Sequence, residues 1–112
     1  TRSHAQQGDI VCVSGCLGDG ALGLAAQLSN VDLYDKQAFI DALELTEPRL
    51  TLGELLVGYA SSCIDISDGL SQDLTHILTK SNCSATIQLE NLPFSEALLN
   101  EIRLGHLSLS DA

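Results

Sequence analysis

The run Cys63-Ile64-Asp65-Ile66-Ser67-Asp68-Gly69-Leu70 constrains the fold most. Ser62–Ile66 is a short apolar run of the kind that makes a buried strand. Ser67-Asp68-Gly69 is turn chemistry. Leu70–Lys80 then carries Leu70, Leu74, Ile77 and Leu78 on one helical face, with Lys80 in the last turn, where a cation suits the helix dipole. A strand, a tight turn and a helix in direct succession place two carboxylates, Asp65 and Asp68, at a strand-to-helix junction.

Similar alternations occupy the rest of the chain. Ile10–Ser14 is β-branched and predicts a strand. Gly15–Gly23 follows with four glycines in nine residues, and Ala21–Leu28 is helical in composition. Ser29–Asp32 is expected to end that helix as a turn. Asp35–Leu45 predicts a second helix, broken at Thr46-Glu47-Pro48-Arg49. Thr51–Ala60 predicts a third, with Leu52, Leu55, Leu56 and Tyr59 at i, i+3, i+4 and i+7, and with Thr51 and Glu54 at capping-box spacing. Ala85, Ile87 and Leu89 alternate with polar residues as in a half-solvated strand. Ser95 is placed to cap a helix running through Ile102. Three strands among about five helices predict an α/β (α+β) layer fold with a mixed sheet and packed helices. Three strands are few, so one sheet edge is expected to need a partner from outside these residues.

Composition narrows the partners. The 112 residues are 45% hydrophobic and 18% charged, which suits a globular core. The longest apolar run, Ile10–Val13, is far too short to span a membrane, and with no basic segment followed by an apolar one at the start, no signal peptide is expected. Fifteen acidic side chains against five basic ones give a net charge of -10, which repels nucleic acid and anionic lipid. Metal cations, cationic molecules, and anions that arrive with a metal remain. The chain has no Met and starts at Thr1-Arg2, so it is expected to be a piece of a longer protein. Cys12, Cys16, Cys63 and Cys83 form no Cys-x-x-Cys pair, and His4, His76 and His106 are scattered. Buried free thiols in a reducing cytoplasm are expected. The four aromatic residues, Tyr34, Phe39, Tyr59 and Phe94, are expected in packing roles.

Two features bear on chemistry. Asp65 and Asp68 repel each other unless something neutralises them, and no Lys or Arg lies between Arg49 and Lys80. A hard divalent cation such as Mg²⁺ fits that deficit, with Ser67 adding a hydroxyl to a phosphate or a metal-bound water. The structural alternative has Asp68 capping the helix and Asp65 paired with an arginine from elsewhere. The glycine segment could bring backbone N–H groups to a phosphate, or it could be a tight turn that allows close packing. It is neither a P-loop nor a dinucleotide fingerprint. Asp73 and His76, three apart on the helix, are placed for a local hydrogen bond.

The order of motifs resembles bacterial thiamine-monophosphate kinase, within the aminoimidazole ribonucleotide synthetase-like superfamily. Thr1-Arg2-Ser3 precedes Gly8-Asp9, then Gly15-x-Leu17-Gly18-Asp19 with Gly23-Leu24, Pro48-Arg49 and Leu52-Gly53. Ile64-Asp65-Ile66-Ser67-Asp68-Gly69-Leu70 follows with Asp73-Leu74 and His76-Ile77, and the likeness extends through Ile87-x-Leu89 to Leu92-Pro93-Phe94-Ser95. The Ile-Asp-Ile-Ser-Asp-Gly-Leu string, together with Thr-Arg-Ser ahead of Gly-Asp, points to the kinase within the superfamily. Gly20 stands where that family commonly has Ser.

The resemblance implies a partial C-terminal domain, residues 9–112, preceded by an inter-domain segment at 1–8. It implies ATP as co-substrate, Mg²⁺ as cofactor and thiamine monophosphate as acceptor, with thiamine diphosphate as product. It implies Asp65 and Asp68 as Mg²⁺ ligands, Arg2 and Ser67 as ATP contacts, and no catalytic side chain on this chain. Further acidic ligands and a homodimer interface belong to an N-terminal domain absent here, and a downstream Gly-Gly-Glu-Asp-Tyr stretch on the substrate side is also absent. These 112 residues are therefore expected to be inert alone. Two readings compete with this one. The first is another ATP-dependent member, such as a phosphoribosylformylglycinamidine or selenophosphate synthetase. The second is a non-catalytic acidic binding module.

Overall fold

The computed structural model describes residues 1–28 and 31–107. The order along the chain is α1 (Asp19–Leu28), α2 (Lys36–Glu44), α3 (Leu50–Leu55), α4 (Leu70–Ser81), a single 3-10 turn at Leu89–Asn91, and α5 (Glu96–Arg103). None of the described residues lies in a β-strand. The expected α/β (α+β) fold with a mixed sheet is therefore corrected to an all-helical arrangement joined by irregular segments. The reason is that a strand is made by its neighbour. Ile10–Ser14, Ser62–Ile66 and Ala85–Leu89 are apolar enough to be strands, but no ladder joins them. Ile10 is 86% exposed. Cys63 does donate its N–H to the Thr1 carbonyl at 2.8 Å, but one such bond is not a ladder.

The chain forms two compact units. The first comprises Thr1–Cys12 and Pro48–Ile87, the second Val13–Glu47 and Gln88–Ala112. Two of the three expected strands contain points where the chain passes from one unit to the other, at Cys12–Val13 and Ile87–Gln88.

The second unit holds the apolar core. Leu22 and Ala26 from α1, Leu33, Phe39 from α2 and Leu98 from α5 are buried, with Ile40, Phe94, Ala97 and Ile102 packed on them. Asp35, expected as the first residue of the second helix, caps α2 instead by accepting from the Ala38 N–H, and Ser95 caps α5 by accepting from the Leu98 N–H at 3.1 Å, as the sequence predicts for Ser95. The glycine segment serves packing here. A Cβ at Gly23 would collide with the Phe39 carbonyl, so glycine is what lets α1 and α2 approach. The Leu17 N–H donates to the Pro93 carbonyl at 2.9 Å, and Ser95 Oγ donates to Asp19 at 2.7 Å, docking the segment onto the start of α5. Of the expected turn at Ser29–Asp32, Ser29 and Asn30 lie outside the described residues, as does the tail 108–112.

The first unit is built differently. Helix α3 spans Leu50–Leu55 and does not reach the expected Ala60. Because it starts at Leu50, Thr51 lies inside it, and the expected capping box does not form; Arg49 is the N-cap, with no side-chain cap bond. Gly58 takes φ +86° just beyond the helix, a left-handed conformation, and Tyr59 after it is 90% exposed, not packed. Tyr34 of the second unit is also exposed, which leaves Phe39 and Phe94 as the packed aromatics. Helix α4 closes on Asn82 at φ +53°, with the Cys83 N–H reaching back to the Leu78 carbonyl at 3.1 Å, a Schellman ending. The four thiols are free, but Cys12, Cys16 and Cys63 are exposed, not buried; Cys12 and Cys63 sit on segments that fail to pair.

Among the described residues, no helix is long and apolar enough to cross a membrane.

Candidate functional site

All four residues singled out by the sequence, Arg2, Asp65, Ser67 and Asp68, fall in the first unit. The segment carrying Arg2 is tied down along its length. Thr1 accepts from the Cys63 N–H, and the Ser3 carbonyl accepts from Ser62 Oγ at 2.9 Å. The Ala5 N–H donates to Ser81 Oγ at the end of α4 at 3.1 Å. Asp9 accepts from the Gln6 N–H at 2.9 Å and from Ser61 Oγ at 2.5 Å. The Ser61 hydroxyl first, and then the Gln6 N–H, hold the Asp9 carboxyl below its usual value. The backbone on either side of Arg2 is thereby bonded to Ser62 and Cys63, just ahead of Asp65.

The Ser67–Gly69 turn has a geometry that sequence reasoning missed. Asp68 does not cap α4. The N-cap is Gly69, at φ +109° and ψ 152°, where a Cβ is strained. The carboxylate that serves the turn is Asp73, one turn into α4. Its Oδ2 accepts from the Ser67 N–H at 2.9 Å and from the Asp68 N–H at 3.1 Å. Asp73 is 4% exposed, whereas Asp65, Ser67 and Asp68 are all exposed. The backbone N–H of Ser67 is the largest influence holding the Asp73 carboxyl below its usual range, against the opposing effect of burial. The N–H groups of Asp68 and Gly69 and the charge of His76 act in the same direction. The signal was present in the sequence as an acidic residue in the first turn of a helix that follows Ser-Asp-Gly, where the helix dipole favours it.

This arrangement settles the structural role of Asp68 but leaves its carboxylate unused by the helix. It also consumes two amides that a strand-to-helix turn could offer to a phosphate. Among the described residues, no group of three or more His, Cys, Asp or Glu side chains is arranged to hold a metal ion. Asp65 and Asp68 present hard oxygen donors only. Such a set fits Mg²⁺, which takes one or two carboxylates and completes its shell with water and substrate phosphates.

A second carboxylate escaped the sequence reading. Glu101, fully buried on α5, accepts from the Tyr34 N–H at 2.7 Å and the Asp35 N–H at 3.4 Å, and pairs with His106 Nδ1 at 2.7 Å. It fixes the entry to α2 within the second unit.

The family model for the AIR synthase related protein, C-terminal domain, matches residues 6–108. The chain belongs to that family. Within it, the resemblance to thiamine-monophosphate kinases is borne out by curated relatives. The thiamine-monophosphate kinase of Haemophilus influenzae is 44% identical over 102 residues, covering 89% of this chain and 31% of its own length. That of Escherichia coli (strain K12) is 43% identical over 105 residues, covering 91% and 32%. That of Pyrococcus horikoshii is 37% identical over 95 residues, covering 85% and 30%. The chain thus spans about a third of the length of the curated relatives it matches.

Proposed function

We propose that this chain contributes the ATP and Mg²⁺ side of a thiamine-monophosphate kinase. In that reaction a phosphate oxygen of thiamine monophosphate forms a bond to the γ-phosphorus of ATP. The bond from that phosphorus to the bridging oxygen breaks, and ADP leaves with the electron pair. The acceptor is already an anion, so it needs little help from a general base. The reaction instead needs neutralisation of two mutually repelling phosphates and in-line positioning.

The observation that carries the reading is that Asp68, on a turn whose own structural needs are met by Asp73, and Asp65, just ahead of that turn, are both exposed. Asp65 and Asp68 would hold Mg²⁺. When bound, the ion supplies positive charge to the phosphate oxygens. Ser67 has its N–H committed to Asp73, so its contact to ATP would run through the hydroxyl. Arg2, on a segment bonded to Ser62 and Cys63, would add a fixed cation for the polyphosphate. Because the chain spans about a third of its relatives, the 112 residues alone are proposed to be inert.

The test is phosphoryl transfer from ATP to thiamine monophosphate by the natural full-length protein, wild type against Asp68→Asn. The expected result is transfer by the wild type and a loss of at least about a hundredfold in the variant. A wild type that fails to phosphorylate thiamine monophosphate defeats the assignment and turns attention to the synthetases of the superfamily. Activity that survives in Asp68→Asn removes Asp68 from the metal site.

A further inference from the structure

The only described residue of the first unit that is buried is a carboxylate, and it faces the turn that carries the site. We infer that Asp73 is a positioning residue, a built-in anion that holds the Ser67–Gly69 turn closed so that Asp65 and Asp68 are presented together to a divalent cation. The inference rests on the metal reading above and adds to it a residue that touches neither metal nor substrate.

Three observations carry it. First, Asp73 Oδ2 accepts from two consecutive amides, Ser67 and Asp68, at 2.9 and 3.1 Å. That is the grip a turn ahead of a helix would otherwise place on a phosphate oxygen. Second, the turn has no other side-chain support at the helix start. Gly69 is the N-cap, makes no side-chain bond, and sits at a φ that only glycine adopts readily. Third, the exposures are inverted. Asp73 is buried, while Asp68 on the turn and Asp65 just ahead of it are exposed. A carboxylate is seldom buried unless its hydrogen bonds are satisfied, and these amides satisfy it. With its amides occupied, the turn offers a ligand only its side chains, and those of Asp65 and Asp68 are cation donors.

The natural full-length protein tests this with Asp73→Ala and Asp73→Asn, using two readouts besides activity. One is deuterium exchange in peptides covering residues 64–70. The other is Mn²⁺ affinity, with the metal alone, followed by its electron paramagnetic resonance signal. Asp73→Ala is expected to speed exchange of the turn amides by roughly tenfold or more and to weaken Mn²⁺ binding by a similar factor. Asp73→Asn keeps an acceptor oxygen and is expected to fall between Ala and wild type in both. Exchange within about twofold of wild type in Asp73→Ala overturns the inference. So does faster exchange with unchanged Mn²⁺ affinity, because the residue would then serve the fold alone. Should Asp73→Ala fail to fold, the same two readouts on Asp73→Asn decide. Asp65→Asn and Asp68→Asn are titrated with Mn²⁺ in parallel. If both bind it as wild type does, the metal reading fails, and the turn-amide exchange still reports separately whether Asp73 holds the turn.

Discussion

The two units of this chain solve the same problem with different chemistry. The second buries Leu22, Ala26, Leu33, Phe39 and Leu98 against one another. Among the described residues of the first there is no buried apolar side chain, and the one buried side chain is Asp73. Hydrophobic burial is non-directional and stabilises whatever shape encloses it. A carboxylate that grips two named amides is directional, and it fixes a particular turn. Each unit also uses one such carboxylate: Glu101 holds Tyr34 and Asp35, and Asp73 holds Ser67 and Asp68. In the second unit the carboxylate supplements a core. In the first it stands at the centre of the segment that carries the candidate site.

The contrast breaks most easily at Phe39. Phe39→Ala in the chain is expected to cost about 3–5 kcal/mol in urea unfolding, because it empties the middle of the apolar cluster. Leu74→Ala in the first unit, where Leu74 is only half-buried, is expected to cost less than half as much. Equal losses at the two positions would mean that both units depend on apolar burial alike.

Gly23→Ala comes next. The added methyl meets the backbone carbonyl of Phe39, which cannot rotate away as a side chain would. A loss near the top of the about 1–3 kcal/mol usual for overpacking is expected. Gly20→Ala, also on α1 but facing open space, provides the control and is expected to leave stability unchanged or slightly raised. If Gly23→Ala is as mild as Gly20→Ala, close approach of α1 and α2 is not what requires glycine at position 23. Glu101→Ala should cost about 1–3 kcal/mol by leaving the Tyr34 and Asp35 amides without their acceptor. Glu101→Gln should recover part of that loss, and failure to recover any would assign the effect to the His106 pair.

The helices were legible in the sequence because their signals are local. Ser95 caps where it should, and α4 runs within a residue of its expected end, although α3 stops at Leu55 without its expected capping box. The strands were misread because their signal is not local. Ile10–Ser14 and Ser62–Ile66 have strand composition, but composition does not supply the neighbouring backbone that a ladder needs. The candidate site was half legible. Asp65, Ser67 and Asp68 stand out as a string, and Arg2 stands out with the motifs around it. Asp73 appeared only through its spacing from His76 and in the Asp73-Leu74 motif. Its actual partners are backbone N–H groups, and the only mark of them in the sequence is an acidic residue in the first turn of a helix after Ser-Asp-Gly. Glu101 was hidden because its partners are also backbone N–H groups, those of Tyr34 and Asp35, 67 and 66 residues away in sequence.

The smallest expected effect sharpens the comparison from the side of pH. Asp9 and Asp73, both in the first unit, have carboxyls held below the usual 3.8 by hydrogen bonds, from Ser61 and then Gln6 for Asp9, and from Ser67 first for Asp73. A depressed folded-state value means that the unfolded chain binds protons more readily at these sites. Their stabilising contribution is therefore fully present above the unfolded value near 3.8, and it is lost as pH falls through the lower folded values. Deuterium exchange at pH 5 against pH 3 or below, corrected for the intrinsic pH dependence of exchange, should show residues 1–9 and 64–70 losing protection on acidification. In Asp73→Asn, which has no proton to gain at position 73, the 64–70 peptide should lose that pH dependence while the 1–9 peptide keeps it. If both peptides respond as in wild type, acid acts on the first unit through some group other than Asp73, and the turn is not held by an ionised carboxylate.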